Sequence, residues 1–511
     1  MGSKKRVLSV VMLITLFSKC LGFLRDIVLA YFFGASTATD AYFVAQTIPE
    51  FLFSLFVQAI AIGFIPIYAE ILHQEGRSKA DHFTNSLYWF GFFAVGMLIL
   101  LVYGFTEPIV RIFASGFDAQ TAKMAERFVR IAVWGMSFRI VSAIDYAYLN
   151  ANEEFKIPAL TGIPLDIITI VSIYVAYKLK KPEILAFSIV LSFIGQTVLQ
   201  HPFVLKRKSR LSIQDFTLTS PYIKRIMHLF LPVALGVGAN QINILVDRTL
   251  ASAIEGGISA LNYANKVDNI LENIIIMSMA TIMFPAFSKQ ATQKQFDKLS
   301  RSISETLVLV SVIMMPCAIF AFQYAEEAIE MLFGRGAFDA SAIRLTADAM
   351  RCYSLGLMFI SYNAILTRAL YSLKRVRSAS LCTCASLFVN VCMNCLLAPK
   401  LGIRGLALAT SLANLVLTAL LSVMLTRTIG KEFIKNGISD IVKLLLCSML
   451  MGLISWAITS LFSGMIPSLF ACIIAVLVGS AVYLLLAYLC KIKVVSEKMK
   501  PGLQKLKRTI K

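Results

Sequence analysis

The chain has 511 residues, of which 58% are hydrophobic and only 15% are charged. A soluble domain carries roughly 25% charged residues, so this composition excludes a soluble fold and indicates an integral membrane protein. The formal net charge of +20 would suit a nucleic-acid-binding protein, but the sequence offers no module for such binding, and nucleic acid is excluded as a partner.

Apolar segments of about 18 to 25 residues, each long enough to cross a bilayer as a helix, recur along the whole chain. They predict an all-α polytopic membrane protein with about fourteen transmembrane helices and no soluble domain between them. The predicted segments lie near 8–33, 41–71, 86–105, 126–149, 158–177, 184–205, 226–253, 262–287, 304–324, 342–371, 379–398, 403–426, 441–463 and 468–490.

Lysine and arginine are distributed unequally between the loops. Alternate loops, counted from a cytoplasmic N-terminus, hold about 30 basic residues against about 9 in the other set, as the positive-inside rule requires. This bias predicts a multi-pass protein with both termini cytoplasmic, and anionic membrane lipid as its surface partner.

The chain contains an internal repeat. "VAQTIPEFLFSLFVQAIAIGFIPIYAE" from Val44 aligns with "YANKVDNILENIIIMSMATIMFPAFSK" from Tyr263 at an offset of 219 residues, which places Pro66 on Pro285. An even number of helices per repeat gives both halves one orientation, as in transporters with parallel repeats. We therefore predict two parallel six-helix lobes, 1–215 and 216–436, around a central cavity, followed by helices 13 and 14 at 437–490 and a basic cytoplasmic tail at 491–511.

Several charged residues lie inside the predicted spans. A charge at the centre of a membrane helix costs roughly 2.5–3.5 kcal/mol, so these side chains must face protein or water. The acids are interpreted as structural or gating charges that form ion pairs between helices. Because successive side chains on a helix point about 100° apart, Arg25 and Asp26 are each expected to have a separate partner. The acids in question are Asp26, Asp40, Glu50 and Asp268.

The basic residues at membrane depth favour binding of an anion. Arg25 and Lys266 occupy matching depths in the two halves, and cations on opposite lobes of a cavity form a receptor for an anionic group. Arginine can donate two parallel hydrogen bonds to phosphate. Lys19 and Arg248 are further candidate contacts in this substrate site.

No catalytic or metal-binding motif is present: the sequence has no Walker loop, no HExxH and no G-x-S-x-G. We therefore predict a transporter rather than an enzyme, without a cofactor and driven by an ion gradient or the membrane potential. Asn390 and Asn394 share one helical face, and with Thr410 and Asp247 they are a candidate site for Na⁺ as coupling ion. Hydrogen bonding between helices is the alternative explanation for the asparagines and the threonine.

Several motifs carry a family likeness. "LGFLRDIVLAYFFGASTATDAYFVAQTIPEF", "FIPIYAE", "NQINILVDRTLAS", "ISALNYANKV", "FPAFSK", "LFGRGAFDA" and "LGIRGLALATSLAN" resemble the lipid II flippase family, MurJ/MviN, of the multidrug/oligosaccharidyl-lipid/polysaccharide exporter superfamily. The resemblance runs from about residue 8 to about residue 425 with the motifs in the same order and spacing.

The resemblance implies transfer of lipid II, the undecaprenyl-diphosphate-linked peptidoglycan precursor, from the inner to the outer leaflet of the bacterial cytoplasmic membrane by alternating access. Helices 13 and 14 would line a groove for the lipid tail, and peptidoglycan synthesis enzymes would be possible partners. By motif, the family's cavity arginine falls on Arg25 and the aspartate of its "DAF" motif on Asp40. Its basic residue in "YAxR" falls on Lys266.

The chain departs from the family pattern in its second helix. The family's "PNxxR" reads "PEFLF" here, so that Glu50 replaces asparagine and Phe53 stands where arginine is usual. Lys266 replaces an arginine, which exchanges a forked donor for a point charge. These changes leave open a flippase for another polyprenyl-diphosphate-linked oligosaccharide. A cation-coupled drug exporter and a scaffold without transport are further alternatives.

Overall fold

The structure is a computed structural model that describes residues 2–206, 221–462 and 467–492. Within these ranges, the side chains of residues 2–8, 55, 228–237, 239 and 271–282 are not described. Most of the predicted basic tail, and the loop around 207–220 that carries part of the inside positive charge, lie outside the described residues.

All regular structure in the described ranges is helical. The first ten helices are α1 (Gly2–Phe33), α2 (Thr37–Gln74), α3 (Arg77–Gly104), α4 (Thr106–Phe113), α5 (Ala119–Ala132), α6 (Met136–Ala151), α7 (Lys156–Leu160), α8 (Gly162–Leu179), α9 (Glu183–Leu205) and α10 (Pro221–Ala251). A short 3-10 helix, Val133–Gly135, joins α5 to α6.

The remaining helices are α11 (Gly257–Thr292), α12 (Phe296–Gln323), α13 (Ala325–Phe333), α14 (Ala340–Ser354), α15 (Leu357–Ser372), α16 (Val376–Leu401), α17 (Ile403–Ile429), α18 (Glu432–Phe462) and α19 (Ser468–Leu489). The predicted apolar segments all fall on these helices, which confirms the prediction of an all-α polytopic fold.

Nine helical segments within the described ranges are long and apolar enough to cross a membrane. Their outward faces expose large apolar side chains: Leu100 is 74% exposed, Phe388 71% and Leu453 63%. Such surfaces are unusual for a soluble protein and suit contact with lipid.

Helix boundaries repeat along the chain at the spacing found in the sequence. α3 begins at Arg77 and α12 begins 219 residues later, at Phe296. The short helices that follow, α4 and α13, begin at Thr106 and Ala325, which are separated by the same 219 residues. The two halves of the chain therefore repeat a long helix followed by a short one at these positions.

Contacts divide the chain into two compact units. The first is Met1–Ser259 with Arg335–Asp339, and the second is Ala260–Gly334 with Ala340–Lys511. α10 belongs to the first unit, where it packs against α2. The lobe boundary inferred near residue 215 concerns the sequence duplication and stays a prediction.

Each unit has its own core. In the first unit, α9 packs on α6 and α8, α2 on α5, and α1 on α8, with buried aromatic rings such as Phe64, Phe83 and Tyr148 between helices. In the second unit, α16 packs on α17, α12 on α18, and α18 on α19, around a cluster that includes Leu444, Met451 and Tyr483.

Candidate functional site

Arg25 on α1 is paired with two carboxylates of the first unit. Its Nε and Nη2 donate to Asp26 Oδ1 at 3.1 and 2.9 Å, and its Nη1 donates to Asp166 Oδ1 of α8 at 3.0 Å. The Arg25 side chain is 15% exposed. Arg25 has the separate partner that was expected, Asp166, but the expectation that Arg25 and Asp26 would not pair with each other is wrong. The long, flexible arginine side chain bends its guanidinium back onto the neighbouring carboxylate.

The packing of α1 on α8 positions this cluster. Gly22 lies one helical turn before Arg25, and a Cβ there would stand 3.4 Å from Asp166 Oδ2. The absence of a side chain at Gly22 gives the Asp166 carboxylate room beside α1. The three charges thus join two helices, but the pair between helices is formed by Asp166, whereas Asp26 pairs with Arg25 of its own helix.

Asp166 is a residue that the sequence analysis did not single out. It is 5% exposed, and it is a carboxylate within the apolar segment 158–177. A lone acid in such a segment is expensive unless it has a partner, and this was the signal that could have identified it.

Asp40 accepts its hydrogen bonds from neutral donors, and Arg248 adds a longer-range attraction. Its Oδ1 accepts the backbone N–H of Ser259 at 2.8 Å and the hydroxyl of Ser259 at 2.5 Å. The two residues are 219 positions apart, so each occupies the place of the other in the sequence repeat. An ion pair was one expectation for Asp40, and the hydrogen bonds to Ser259 replace it.

Tight backbone approaches hold the turn before Asp40. Ser36 caps α2 by accepting the N–H of Thr39. Gly256 has φ +70°, and a Cβ there would lie 2.5 Å from the carbonyl oxygen of Ala35. Only glycine fits this left-handed position at such close range, so the chain just before α11 is fixed against the α1–α2 turn.

The other basic candidates have different surroundings. Lys19 on α1 and Lys266 on α11 are both exposed. Arg248 on α10 is half-buried and donates to the carbonyl of Ile258 at 3.3 Å. Arg25 and Lys266 belong to different units, and Asp268, two residues beyond Lys266, is buried within the second.

A cavity of about 200 Å³ lies within the first unit, between α2, α6, α8 and α9. One face of α2 contributes Gln46, Glu50 and Gln58, and α6 contributes Arg139. Phe53, which stands where the resembling family has arginine, is buried and lines the same cavity. Glu50 and Arg139 therefore line the same cavity, a proximity that the sequence did not reveal.

The candidate Na⁺ residues of the second unit contact one another. Asn394 Nδ2 donates to Asn390 Oδ1 at 2.7 Å, and Asn390 Nδ2 donates to Thr410 Oγ1 at 3.3 Å. The shared helical face of the two asparagines is thus as predicted. Asp247 belongs to the first unit, where it is half-buried on α10.

A buried polar cluster near the ends of α3, α6 and α9 also escaped the sequence analysis. Asp145 is fully buried and accepts the hydroxyl of Tyr88, and His201 Nδ1 lies 3.2 Å from Asp145 Oδ2. Because a carboxylate only accepts, the histidine must present its protonated Nδ1 to it. This cluster joins three helices of the first unit.

A family model for the lipid II flippase MurJ matches residues 29–476 of the chain. The chain belongs to the lipid II flippase MurJ family. The match covers both copies of the internal repeat and extends into α19, so membership in the MurJ family rests on nearly the whole chain.

Individual relatives agree with this assignment. The chain is 29% identical over 411 residues to a probable lipid II flippase MurJ of Buchnera aphidicola subsp. Baizongia pistaciae, with 79% of each chain covered. Among solved structures, it matches a lipid II flippase MurJ in an inward closed conformation with a TM-score of 0.80 at 24% identity, covering 94% of this chain and 98% of the other.

The fold extends to a wider superfamily of transporters. An inward-facing multidrug resistance MATE family transporter of the MOP superfamily aligns with a TM-score of 0.68 at 15% identity, covering 81% of this chain and 95% of that one. At this identity the likeness concerns the fold alone. The MurJ family members and this transporter thus share one helical architecture.

Proposed function

We infer that the chain is a lipid II flippase, which moves the undecaprenyl-diphosphate-linked peptidoglycan precursor from the inner to the outer leaflet by alternating access. The match of the MurJ family model to residues 29–476 carries this conclusion. The apolar helices and the duplicated helix order support it, since transporters of this kind are built from parallel repeats.

Arg25 and Lys266 are the residues we propose for the diphosphate, with Lys19 and Arg248 as further basic contacts. Lys266 is exposed on α11, where an anion can reach it. Arg25 donates three hydrogen bonds to Asp26 and Asp166, so phosphate oxygens there must compete with the carboxylates or use the remaining N–H groups of the guanidinium. A diphosphate carries enough charge to compete for a forked donor.

Complementation of flippase-depleted cells tests this assignment of residues. Wild type is expected to restore growth, and Arg25→Ala and Lys266→Ala are expected to fail at equal membrane abundance. Arg111→Ala and Lys289→Ala, which alter exposed residues, serve as matched controls and should restore growth. Rescue by the Arg25 and Lys266 variants would contradict their role and favour the scaffold alternative.

A related cargo is the second candidate. The buried Phe53 in place of an arginine, and Lys266 in place of another, remove forked phosphate donors from the family pattern. A flippase for another polyprenyl-diphosphate-linked oligosaccharide fits this change. Failure of well-expressed wild type to replace a lipid II flippase would favour this candidate over lipid II.

Sodium is the proposed coupling ion, bound by Asp247, Asn390, Asn394 and Thr410. The hydrogen bonds among the two asparagines and the threonine bring their side chains together, and carboxylate and amide oxygens suit a hard cation. Flipping in proteoliposomes should respond to an imposed Na⁺ gradient, and Asn394→Ala should abolish the response. Flipping that follows the membrane potential alone would contradict Na⁺ coupling.

The proposed location is the bacterial cytoplasmic membrane with both termini inside, as the loop charges predict. Peptidoglycan synthesis enzymes are the proposed protein partners, because they would consume the flipped precursor. Reporter fusions at each terminus test the orientation: a reporter active only in the cytoplasm should be active at both ends. Activity at one end only would contradict the topology.

A further inference from the structure

The cavity between α2, α6, α8 and α9 is lined by both polar and apolar side chains. Gln46, Glu50, Ser54 and Gln58 are spaced by about one helical turn and so share a face of α2. Opposite them the lining is apolar, with Leu165 as one member. Glu50 and Gln58 are exposed, so the cavity is not sealed, and its volume of about 200 Å³ holds several water molecules.

Arg139 is the cation of this cavity. Its guanidinium lies over the ring of Phe193, 5.3 Å from the ring centroid, and its side chain is half-buried. Among the side chains that the structure describes, no carboxylate oxygen lies within 4.0 Å of the Arg139 guanidinium, and no hydrogen bond to that group is formed. Because Arg139 lines the cavity, an anion that enters the cavity can reach its guanidinium.

Arg139 differs in this respect from Arg25 and Arg351, two other arginines in predicted membrane spans. Arg25 has two carboxylate partners, and Arg351 on α14 pairs with Glu326 and Asp348. Glu50 lines the same cavity as Arg139 but lies beyond ion-pair distance. A cation at membrane depth without a close acid is costly, and an anionic ligand that enters the cavity would relieve that cost.

We propose that Arg139, assisted by the amides of Gln46 and Gln58, binds an anionic oxygen of the lipid-linked cargo. This inference rests on the proposed flippase function and adds a subsite within the first unit. The stacked guanidinium leaves its edge free to donate two parallel hydrogen bonds to a phosphate or carboxylate. The amide groups supply neutral donors for the remaining oxygens.

The subsite also accounts for a feature of α2. Phe53, buried on the cavity wall, carries no charge where the family pattern has arginine. In this chain the cation of that space is supplied by α6 instead. A cation on α6 would hold the anion from a different direction than a cation on α2, but the cavity keeps a positive charge.

Binding of two lipids to the purified full-length protein tests the proposal. The probes are lipid II and undecaprenyl diphosphate, which lacks sugar and peptide, and affinity is measured in detergent micelles for wild type, Arg139→Gln and Arg139→Lys. We expect Arg139→Gln to weaken binding of both by about tenfold or more, as the loss of a charged hydrogen bond predicts. Arg139→Lys should retain part of the affinity, because it keeps the charge but not the fork.

Arg130→Gln is the matched control, because Arg130 also lies over an aromatic ring, 5.7 Å from the centroid of Tyr103, but is exposed and lines no part of this cavity. Its affinities should equal those of wild type. Elution as a single species establishes that each variant is folded, and if Arg139→Gln aggregates, the lysine variant alone carries the comparison.

The outcomes separate the proposed subsite from the proposed flippase function. Weaker binding of both lipids assigns the anion to the diphosphate, whereas weaker binding of lipid II alone supports the subsite and assigns the anion to the peptide carboxylates. Unchanged affinity of folded Arg139 variants, with wild type binding both lipids, overturns the subsite but not the flippase function. Wild type that binds neither lipid overturns both.

Discussion

Two arginines at membrane depth in the first unit have contrasting surroundings. Arg25 on α1 lies between Asp26 and Asp166, and all three side chains are at most 15% exposed. Arg139 on α6 faces a cavity and an aromatic ring, without a carboxylate within ion-pair distance among the described side chains. Arg25 connects two helices through ion pairs, and Arg139 lines a cavity.

The difference indicates what each arginine contributes. Removing one member of a buried ion pair leaves an uncompensated charge and is strongly destabilising. Arg139 interacts with Glu50 only beyond ion-pair distance, and Glu50 is exposed, so removing Arg139 leaves no buried, uncompensated charge. Both arginines are proposed to contact the cargo, but stability should depend on Arg25 far more than on Arg139.

Arg25→Ala should have the largest effect on stability. It leaves Asp26 and Asp166 buried without their shared cation, which is expected to lower the free energy of unfolding by about 3–5 kcal/mol. Denaturation of the purified protein in mixed micelles measures the change. Combining Arg25→Ala with Asp26→Asn and Asp166→Asn should recover part of the lost stability. A loss below about 1 kcal/mol for Arg25→Ala would contradict the structural role of these ion pairs.

Asp145→Asn sharpens the comparison with an acid that a hydroxyl group and an imidazole N–H satisfy. Its carboxylate accepts from Tyr88 and is held by His201, so an amide group at this position places N–H donors against other donors. We expect unfolding to become easier by about 1–3 kcal/mol, in the range for a buried unsatisfied polar group. Asp297→Asn, at an exposed position, is the control, and equal stability of the two variants would show that the cluster is not structural.

Ser259→Ala tests the smaller contribution of a single hydroxyl. The variant loses the Oγ–H donor to Asp40 but keeps the backbone N–H, so a loss of about 1 kcal/mol is expected. A double-mutant cycle with Asp40→Asn measures the coupling between the two side chains. A coupling energy of zero would indicate that the hydroxyl does not contribute to holding Asp40.

Arg139→Gln should have a much smaller effect on stability than Arg25→Ala. Only the contact with the Phe193 ring is lost, and a cation–π interaction contributes about 0.5–2 kcal/mol, depending on its exposure. The same denaturation measurement as for Arg25→Ala gives the value. A loss as large as that of Arg25→Ala would show that Arg139 has a structural partner and would remove the contrast between the two arginines.

Much of the architecture was predictable because its signals are local. Runs of apolar residues identify the membrane helices, and the alignment of Val44 onwards with Tyr263 onwards reveals the repeat, whose helix boundaries recur at the same spacing. The repeat aligns Asp40 with Ser259, and these two residues contact each other in the structure. That contact was not predicted, because alignment alone does not state that equivalent residues touch.

The candidate site was predictable only in part. Charge at membrane depth singled out Arg25, Asp26 and Glu50 from hydropathy alone. Their partners were not predictable: Asp166 is 141 residues from Arg25 along the chain, and the pairing depends on how α1 packs against α8. The angular argument that separated Arg25 from Asp26 failed because it considered the direction of Cβ and not the reach of the side chain.

The sequence by itself determined that the protein is an α-helical membrane transporter with duplicated halves, and which of its charges lie at membrane depth. Only the tertiary structure decided that Arg25 is neutralised and that Arg139 adjoins a cavity. Hydropathy and helical period are properties of neighbouring residues, whereas the partner of a charge is set by helices that are distant in the chain and brought together by packing.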